Sequence, residues 1–187
     1  MLKRTIDLLV VFAGGLILSP LLIFTALAVK VTSKGPILYW SDRVGVNNQI
    51  FKMPKFRSMV VDAPVVATHL LQDPKSLLTP IGHFIRKTSL DELPQLWSIF
   101  VGNMTLVGPR PALFNQQDLI AMRTRAGVHA LVPGLTGWAQ INGRDELPIE
   151  KKVALDAEYL NRQSVMLDFQ ILLSTFFKVM RSENVSH

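Results

Sequence analysis

Cysteine is absent from this chain of 187 residues, and charged residues make up only 18% of it. The lack of cysteine excludes a disulfide scaffold, a thiolate metal site and a cysteine nucleophile. Hydrophobic residues make up 49%, which excludes a disordered chain, a collagen and a coiled coil. There are no internal repeats and no low-complexity tract. The length suits one domain, or one domain with an appendage.

The few charges that are present are mostly basic. Lys and Arg total 20 against 14 Asp and Glu, which gives a formal net charge of +6. A basic balance in such an apolar chain indicates a protein held at an anionic membrane surface. Nucleic-acid binding is another way to use positive charge, but no basic-aromatic surface pattern supports it here.

Much of the apolar excess lies in residues 8–29, which contain no charge. A helix of that length would span a bilayer core. However, Ser19-Pro20 lies near its middle, and proline removes a backbone donor and breaks or kinks a helix. We therefore expect two halves, residues 8–18 and 21–29, each reaching about half of the hydrocarbon depth. The Ser19 hydroxyl is a candidate to satisfy a carbonyl freed at the break.

Basic residues flank this segment on both sides, with Lys3 and Arg4 before it and Lys30 and Lys34 after it. A spanning helix usually has its basic residues on one side. The pattern therefore predicts a helix-break-helix that enters the membrane and returns to the same face. A plain kinked transmembrane helix stays open as an alternative. So does a cleaved signal peptide, for which Ala26-Leu27-Ala28 resembles a cleavage site.

The rest of the chain predicts an α+β domain, mostly helical, with a short β-hairpin. Two strands are expected at residues 37–40 and 49–53, joined by a turn, and Pro54 limits the second. Helices are expected at residues 81–86, 93–100, 115–124 and 147–160. Residues 63–80 are expected to form a mixed helix and loop, and residues 132–137 a loop. Val165–Met180 carries an apolar stripe: Met166, Phe169, Leu172, Leu173, Phe176, Phe177 and Met180. That stripe fits either a core helix or an amphipathic helix in the membrane interface, with Lys178 and Arg181 reaching headgroups.

Two adjacent carboxylates, Asp91 and Glu92, follow two adjacent cations, Arg86 and Lys87. Taken alone, this segment can be structural, because Ser89 and Glu92 have the spacing of a helix-capping box. Under that interpretation the protein would be a non-enzymatic, membrane-associated scaffold.

Fixed cations elsewhere favour chemistry instead. Arg110 lies between Pro109 and Pro111, a rigid setting that suits bidentate recognition of a phosphate. Lys52, Lys55 and Arg57 lie close together on a strand-like segment, with Lys55 and Arg57 on one face. Carboxylates combined with fixed cations are typical of divalent-metal phosphoryl transfer. A carboxylate can also be the nucleophile in such reactions.

Several motifs run in order along nearly the whole chain, each weak alone but specific together. They are Lys3-Arg4-x-x-Asp7, Ser19-Pro20, Gly35-Pro36, Lys55-Phe56-Arg57-Ser58-Met59, Ser89-Leu90-Asp91-Glu92-Leu93-Pro94-Gln95-Leu96, Leu106-Val107-Gly108-Pro109-Arg110-Pro111, the run from Pro133 to Arg144, and Leu155-Asp156-x-x-Tyr159. In these motifs the chain resembles the bacterial sugar transferases of the monotopic phosphoglycosyl transferase type. It resembles their minimal catalytic form, without the extra N-terminal spans of larger relatives.

The resemblance implies transfer of a phospho-sugar from a UDP-sugar, expected to be of the UDP-N-acetylhexosamine type, to a polyprenyl phosphate such as undecaprenyl phosphate, with release of UMP. It implies Asp91 as the nucleophile that forms a covalent intermediate, Glu92 as its partner, and Mg²⁺ held by both. Substrate-binding residues by position are Lys55, Arg86, Arg110 and Asp156. Ser19 and Pro20 match the break of a re-entrant helix.

The same resemblance implies a membrane anchor over residues 1–34 and a catalytic domain with interfacial helices over residues 35–187. The active site would lie on the cytoplasmic face of the bacterial inner membrane. Partners would be the UDP-sugar, the polyprenyl phosphate and membrane phospholipids, with no nucleic acid, and a homodimer is left open.

Overall fold

A computed structural model describes residues 2–66, 73, 75–143 and 147–180. These ranges contain seven α-helices and four short strands, which confirms the predicted α+β class with a β-hairpin. The elements are α1 (Leu2–Thr32), β1 (Leu38–Val44), β2 (Ile50–Phe56), α2 (Gly82–Lys87), α3 (Leu96–Val101), β3 (Thr105–Val107), α4 (Gln117–Arg125), β4 (Gly134–Thr136), α5 (Trp138–Ile141), α6 (Ile149–Arg162) and α7 (Val165–Met180). A 3₁₀ helix, Leu90–Gln95, leads into α3.

The hairpin of β1 and β2 is antiparallel, from the pair Leu38 and Phe56 to the pair Val44 and Ile50. The turn is made possible by Asn47 and Asn48, whose φ angles are 52° and 61°, because asparagine tolerates the left-handed region. The prediction that Pro54 limits β2 is wrong, since the strand continues to residue 56. In a two-stranded sheet both strands are edges, and an edge strand tolerates proline.

A second, parallel pair joins β3 and β4, with Thr105 opposite Gly134 and Val107 opposite Thr136. The prediction of a loop over residues 132–137 is therefore wrong for Gly134–Thr136. The strand depends on close tertiary contact, because a Cβ placed on Gly134 would lie 2.1 Å from the Gly108 amide nitrogen. Local turn signals cannot reveal such a contact.

The N-terminal segment forms one continuous helix, α1, with Pro20 inside it. The prediction of two separate helical halves is therefore wrong at the level of secondary structure. The Ser19 hydroxyl donates to the Leu16 carbonyl at 2.8 Å. That carbonyl lies four residues before Pro20, so it is the one that loses its donor to proline. The predicted hydrogen bond from Ser19 to a freed carbonyl is thus present, and it helps the helix to continue through the proline. The re-entrant break itself stays a prediction.

Both ends of α1 pack on the rest of the chain, whereas its middle is exposed. The buried residues are Asp7 and Val11 near one end, and Thr25 and Val29 near the other. The exposed apolar side chains between them include Phe12, Leu16, Ile17, Leu21, Ile23 and Phe24. By length and composition α1 is able to cross a membrane. Its two ends nevertheless contact the same body of helices and strands.

Polar contacts fix the first turns of α1 to β3. Lys3 Nζ donates to the Val107 carbonyl at 2.9 Å and forms an ion pair with Asp168. The buried Asp7 carboxylate accepts hydrogen bonds from Thr105 Oγ1 at 2.6 Å and from the Leu106 amide at 3.2 Å. Lys3 and Asp7 are four residues apart, so they share one helix face. The apolar helix therefore holds the strand that leads into the loop carrying Arg110.

Helix α7 packs on the core mainly through residues outside its predicted stripe, and the interfacial role of that stripe stays a prediction. Leu167 and Ile171 are buried in the main core. Its exposed apolar residues are Met166, Phe169, Leu173, Phe176, Phe177 and Val179. Lys178 does not extend toward headgroups, because its Nζ donates to the Ile141 carbonyl at 2.5 Å. Arg181, Arg144, the Met180 side chain and the centre of the predicted helix-loop over 63–80 lie outside the described residues.

Candidate active site

Asp91 lies in the first turn of the 3₁₀ helix Leu90–Gln95 and is 4% exposed. Its Oδ1 atom is buried and has no hydrogen-bond partner among the described residues. Burial raises the pKa of Asp91 from 3.8 to about 6. Attraction to Lys55 lowers this pKa, and repulsion from Glu92 raises it further. A buried carboxylate with one oxygen unbonded and a raised pKa is characteristic of a functional site rather than of a stabilising contact.

Glu92 points into a pair of cations. Its carboxylate accepts from Lys55 Nζ at 2.8 Å and from Arg110 Nη2 and Nη1 at 2.5 and 3.3 Å. Ser89 has a φ of 56° and makes no side-chain capping bond. The predicted capping box is therefore wrong, because Glu92 binds two cations of distant elements. A positive φ at a serine stores backbone strain just before Asp91.

Three elements supply the cations around the two carboxylates. Lys55 comes from β2, and burial lowers its pKa against the attraction of Glu92. Arg86 comes from the last turn of α2 and interacts electrostatically with Asp91 and Glu92. Arg110 comes from the proline-flanked loop after β3. These residues, predicted from separate motifs, are thus brought together with Asp91.

Asp156 occupies a different place from the one predicted. It is 1% exposed and is absent from the residues that line the cavity beside Asp91. It accepts from Arg123 Nε at 2.9 Å and Nη2 at 2.6 Å. Burial raises the pKa of Asp156, and Arg123 opposes that rise. Asp156 therefore contacts an arginine behind the site.

Arg123 is a site residue that the sequence reasoning missed. It lines the cavity, and its Nη1 donates to the Arg110 carbonyl at 2.8 Å. It is 8% exposed on α4, one helical turn after the buried Leu119. An arginine on the buried face of an amphipathic helix was the available signal, because a buried charge requires a partner.

A cavity of about 910 Å³ opens beside Asp91. This volume is within the usual range for small-molecule sites. Its wall has a charged part that contains Lys55, Arg86, Asp91, Glu92 and Arg110. Another part is apolar and includes Leu172, Phe176 and Val179 of α7. Ser19 and Pro20 lie on α1, away from the cavity lining.

The donor set near Asp91 fits Mg²⁺ only with help from a substrate. No group of three or more His, Cys, Asp or Glu side chains gathers anywhere in the described ranges. Mg²⁺ usually takes one or two carboxylates together with substrate phosphates. Asp91 Oδ1 is an unpaired oxygen suited to that role, whereas both oxygens of Glu92 are already hydrogen-bonded to cations.

A buried carboxylate among fixed cations suits chemistry on phosphate esters, and the apolar helix beside it is able to cross a membrane. The chain belongs to the bacterial sugar transferase family, whose sequence model matches residues 1–182. This finding confirms the family predicted from the motifs.

Three relatives illustrate the similarity. UDP-glucose:undecaprenyl-phosphate glucose-1-phosphate transferase of Escherichia coli K12 is 41% identical over 95% of this chain and 40% of its own length. The uncharacterized sugar transferase EpsL of Bacillus subtilis 168 is 39% identical over 98% of this chain and 90% of its own. Undecaprenyl-phosphate galactose phosphotransferase of Salmonella typhimurium LT2 is 36% identical over 97% of this chain and 41% of its own length. The chain thus spans about two fifths of the first and third of these relatives.

Proposed function

We propose that the chain transfers a phospho-sugar from a UDP-sugar to undecaprenyl phosphate and releases UMP. The single observation that carries this proposal is the unpaired Oδ1 of Asp91, buried among the charges of Lys55, Arg86 and Arg110. The names of similar proteins support the substrates, since they specify UDP-glucose or undecaprenyl phosphate.

In the first half of the proposed reaction, the Asp91 carboxylate attacks the phosphorus that carries the sugar. The bond from that phosphorus to the UMP oxygen breaks, and its electron pair leaves with UMP. Arg86, Arg110 and Lys55 stabilise the charge on the phosphate oxygens. Mg²⁺, if held at the site by Asp91, would supply further charge neutralisation.

In the second half, a phosphate oxygen of the polyprenyl phosphate attacks the same phosphorus. The aspartyl–phosphorus bond breaks, Asp91 returns to its carboxylate form, and a polyprenyl-diphosphate sugar results. Glu92 holds Lys55 and Arg110 in place through both steps, because its carboxylate binds both cations. Fixed cations need no reorganisation when charge develops at the phosphate.

The proposed site lies at a membrane surface because one substrate is soluble and the other is a lipid. Both ends of α1 contact the same body, which supports a helix that enters and leaves by one face. The exposed apolar side chains of α1 and α7 would contact lipid. We assign residues 1–34 to the anchor, residues 35–187 to the catalytic domain, and the site to the cytoplasmic face of the inner membrane.

The donor sugar is the least constrained part of the proposal. A donor of the UDP-N-acetylhexosamine type stays a prediction. The relatives whose names specify a sugar name glucose or galactose. A panel should therefore contain UDP-glucose, UDP-galactose and their N-acetylated forms. UMP release with undecaprenyl phosphate and Mg²⁺ identifies the donor.

The decisive variant is Asp91→Asn, which keeps the shape of the side chain and removes its charge. We expect UMP release to fall by at least about a thousandfold, because a nucleophile is lost. Wild-type protein with a donor radiolabelled in its sugar and no acceptor should retain label after denaturation, and the variant should not. Near-normal turnover by a folded variant would refute the nucleophile and restore the scaffold alternative.

A further inference from the structure

The amide of Gln140 is buried with neither of its polar atoms satisfied. Oε1 and Nε2 have no hydrogen-bond partner among the described residues, and Gln140 lines the cavity that contains Asp91. An unpaired buried donor and acceptor lower the stability of a protein. Such a cost is typical of a group that is kept for a ligand.

The chain packs tightly around this amide and places it near the arginine loop. A Cβ built on Gly137 would lie 2.1 Å from the Gly108 carbonyl oxygen and 2.8 Å from Gln140 Oε1. Residue 137 therefore has to be glycine, and the amide lies next to the Gly108 peptide. Arg110 follows two residues later and binds Glu92 beside the nucleophile.

The wall near Gln140 is mainly apolar or already paired. Leu135 and Ala139 also line the cavity there. The hydroxyls of Thr136 and Thr175 are bonded to each other at 2.8 Å. The two amide atoms have almost no accessible surface in this conformation. A turn of the side chain toward the cavity would present one donor and one acceptor, side by side in one plane, against apolar surroundings. This arrangement fits a flat ring with a matching polar edge.

We propose that Gln140 binds the imide edge of the uracil ring of the donor nucleotide. The N3–H of uracil would donate to Oε1, and Nε2 would donate to the neighbouring carbonyl oxygen. A sugar hydroxyl would satisfy these positions one at a time, whereas the imide edge fills both together. This inference rests on the proposed function, because it takes UDP-sugar as the donor.

The test compares wild type with Gln140→Met, a near-isosteric change that removes both polar atoms. UMP and inorganic pyrophosphate are the probes, with binding measured separately on the full chain in detergent. We expect UMP affinity to fall about tenfold, equal to about 1.4 kcal/mol, and pyrophosphate affinity to stay unchanged. The KM for the UDP-sugar should rise by the same factor, and that for undecaprenyl phosphate should not.

The melting temperature distinguishes a ligand-binding role of Gln140 from a structural one, because loss of a structural contact would lower it. Without ligand, Gln140→Met should melt at the same temperature as wild type or higher, because two unsatisfied polar atoms are removed. Gln116→Met is a matched control on the same cavity, since Gln116 Oε1 already accepts from the Leu113 amide at 2.8 Å. That control should lower the melting temperature.

The outcomes separate the inference from the function on which it rests. Unchanged UMP affinity in Gln140→Met would overturn the inference while wild-type turnover upheld the function. A raised KM for the UDP-sugar with unchanged UMP affinity would place the sugar, not the uracil ring, at Gln140 and would also overturn the inference. A wild type that neither binds UMP nor releases it would contradict the proposed function itself.

Discussion

Asp156, which does not line the cavity, holds the guanidinium of the cavity-lining Arg123 through two hydrogen bonds, at 2.9 and 2.6 Å. The third contact of that guanidinium is the Arg110 carbonyl, at 2.8 Å. Asp156 therefore acts on the site through Arg123 and the Arg110 loop. A buried pair that is hydrogen-bonded in this way fixes geometry, because removing one partner leaves an uncompensated charge.

We predict that Asp156→Asn lowers the free energy of unfolding by about 3 kcal/mol, because the buried charge of Arg123 is left uncompensated. This loss outweighs the relief of the burial that raises the pKa of Asp156. Turnover should fall along with stability, because the Arg110 loop loses its support. Urea unfolding and UMP release measure the two effects. The control Asp42→Asn removes an exposed pair with Lys52, and it should cost less than about 1 kcal/mol.

The double variant Asp156→Leu with Arg123→Met distinguishes positioning from stability. Replacing both charges by apolar side chains should recover much of the lost stability. Turnover should stay low, because the Arg110 carbonyl still has no donor. Recovery of full turnover would contradict a positioning role for this pair.

The raised pKa of Asp91 predicts an acid limit for the first half-reaction. A protonated carboxyl group cannot attack phosphorus, so the rate should fall as the pH drops through about 6. The rate to measure is UMP release per enzyme without acceptor, because the polyprenyl phosphate titrates near the same pH. A rate independent of pH between 5 and 8 would contradict this assignment.

The variant Lys55→Met tests whether the pH at which the rate falls moves in the expected direction. Lys55 is the cation that lowers the pKa of Asp91 most. Its loss should move the acid limb to higher pH, in addition to any loss of rate. An unmoved limb would indicate that another group controls the titration.

Asp91 should also weaken the folded state at neutral pH. Its pKa is raised from 3.8 in the unfolded chain to about 6 on folding, so between these values the folded state binds more protons. Wild-type stability therefore falls as the pH rises from about 4 to 6, and the loss persists above 6. We predict that Asp91→Asn raises the free energy of unfolding at pH 7.5, by at most about 3 kcal/mol.

Two comparisons check this stability prediction. At pH 4 the gain in Asp91→Asn should shrink, because the wild-type carboxyl is then mostly protonated. Glu92→Gln should act in the opposite direction and destabilise, because Lys55 and Arg110 lose their anionic partner. Equal losses in both variants would mean that Asp91 is stabilising after all.

The sequence predicted most elements and the charged part of the site, and its errors have specific physical causes. Local patterns of charge and proline made Lys55, Asp91, Glu92 and Arg110 candidates, and the family resemblance assigned them, with Arg86, to one site. Arg123 was missed because its function depends on a partner 33 residues away. Strand β4 was missed because its pairing depends on the close approach of two glycine-containing segments. Contacts between distant segments, rather than local propensity, decide these features.

The course of α1 relative to the membrane gives the last prediction. Near its start, Lys3 pairs with Asp168, and near its end Val29 packs in a cluster with Phe56 and Ile85. A straight spanning helix would separate these contacts by a bilayer thickness, so both cannot persist with the body on one side. We therefore expect both ends of α1 on the cytoplasmic face.

Single-cysteine labelling tests this topology without background, because the chain contains no cysteine. Leu2→Cys and Lys34→Cys replace exposed residues at the two ends. In intact cells a membrane-impermeant maleimide should leave both unlabelled, and in inverted vesicles it should label both. Ile17→Cys, in the exposed apolar middle, should stay unlabelled in both preparations because lipid covers it. Labelling of the two ends from opposite sides would refute the re-entrant course and favour a spanning helix, with the contact of Lys3 or of Val29 lost in the membrane.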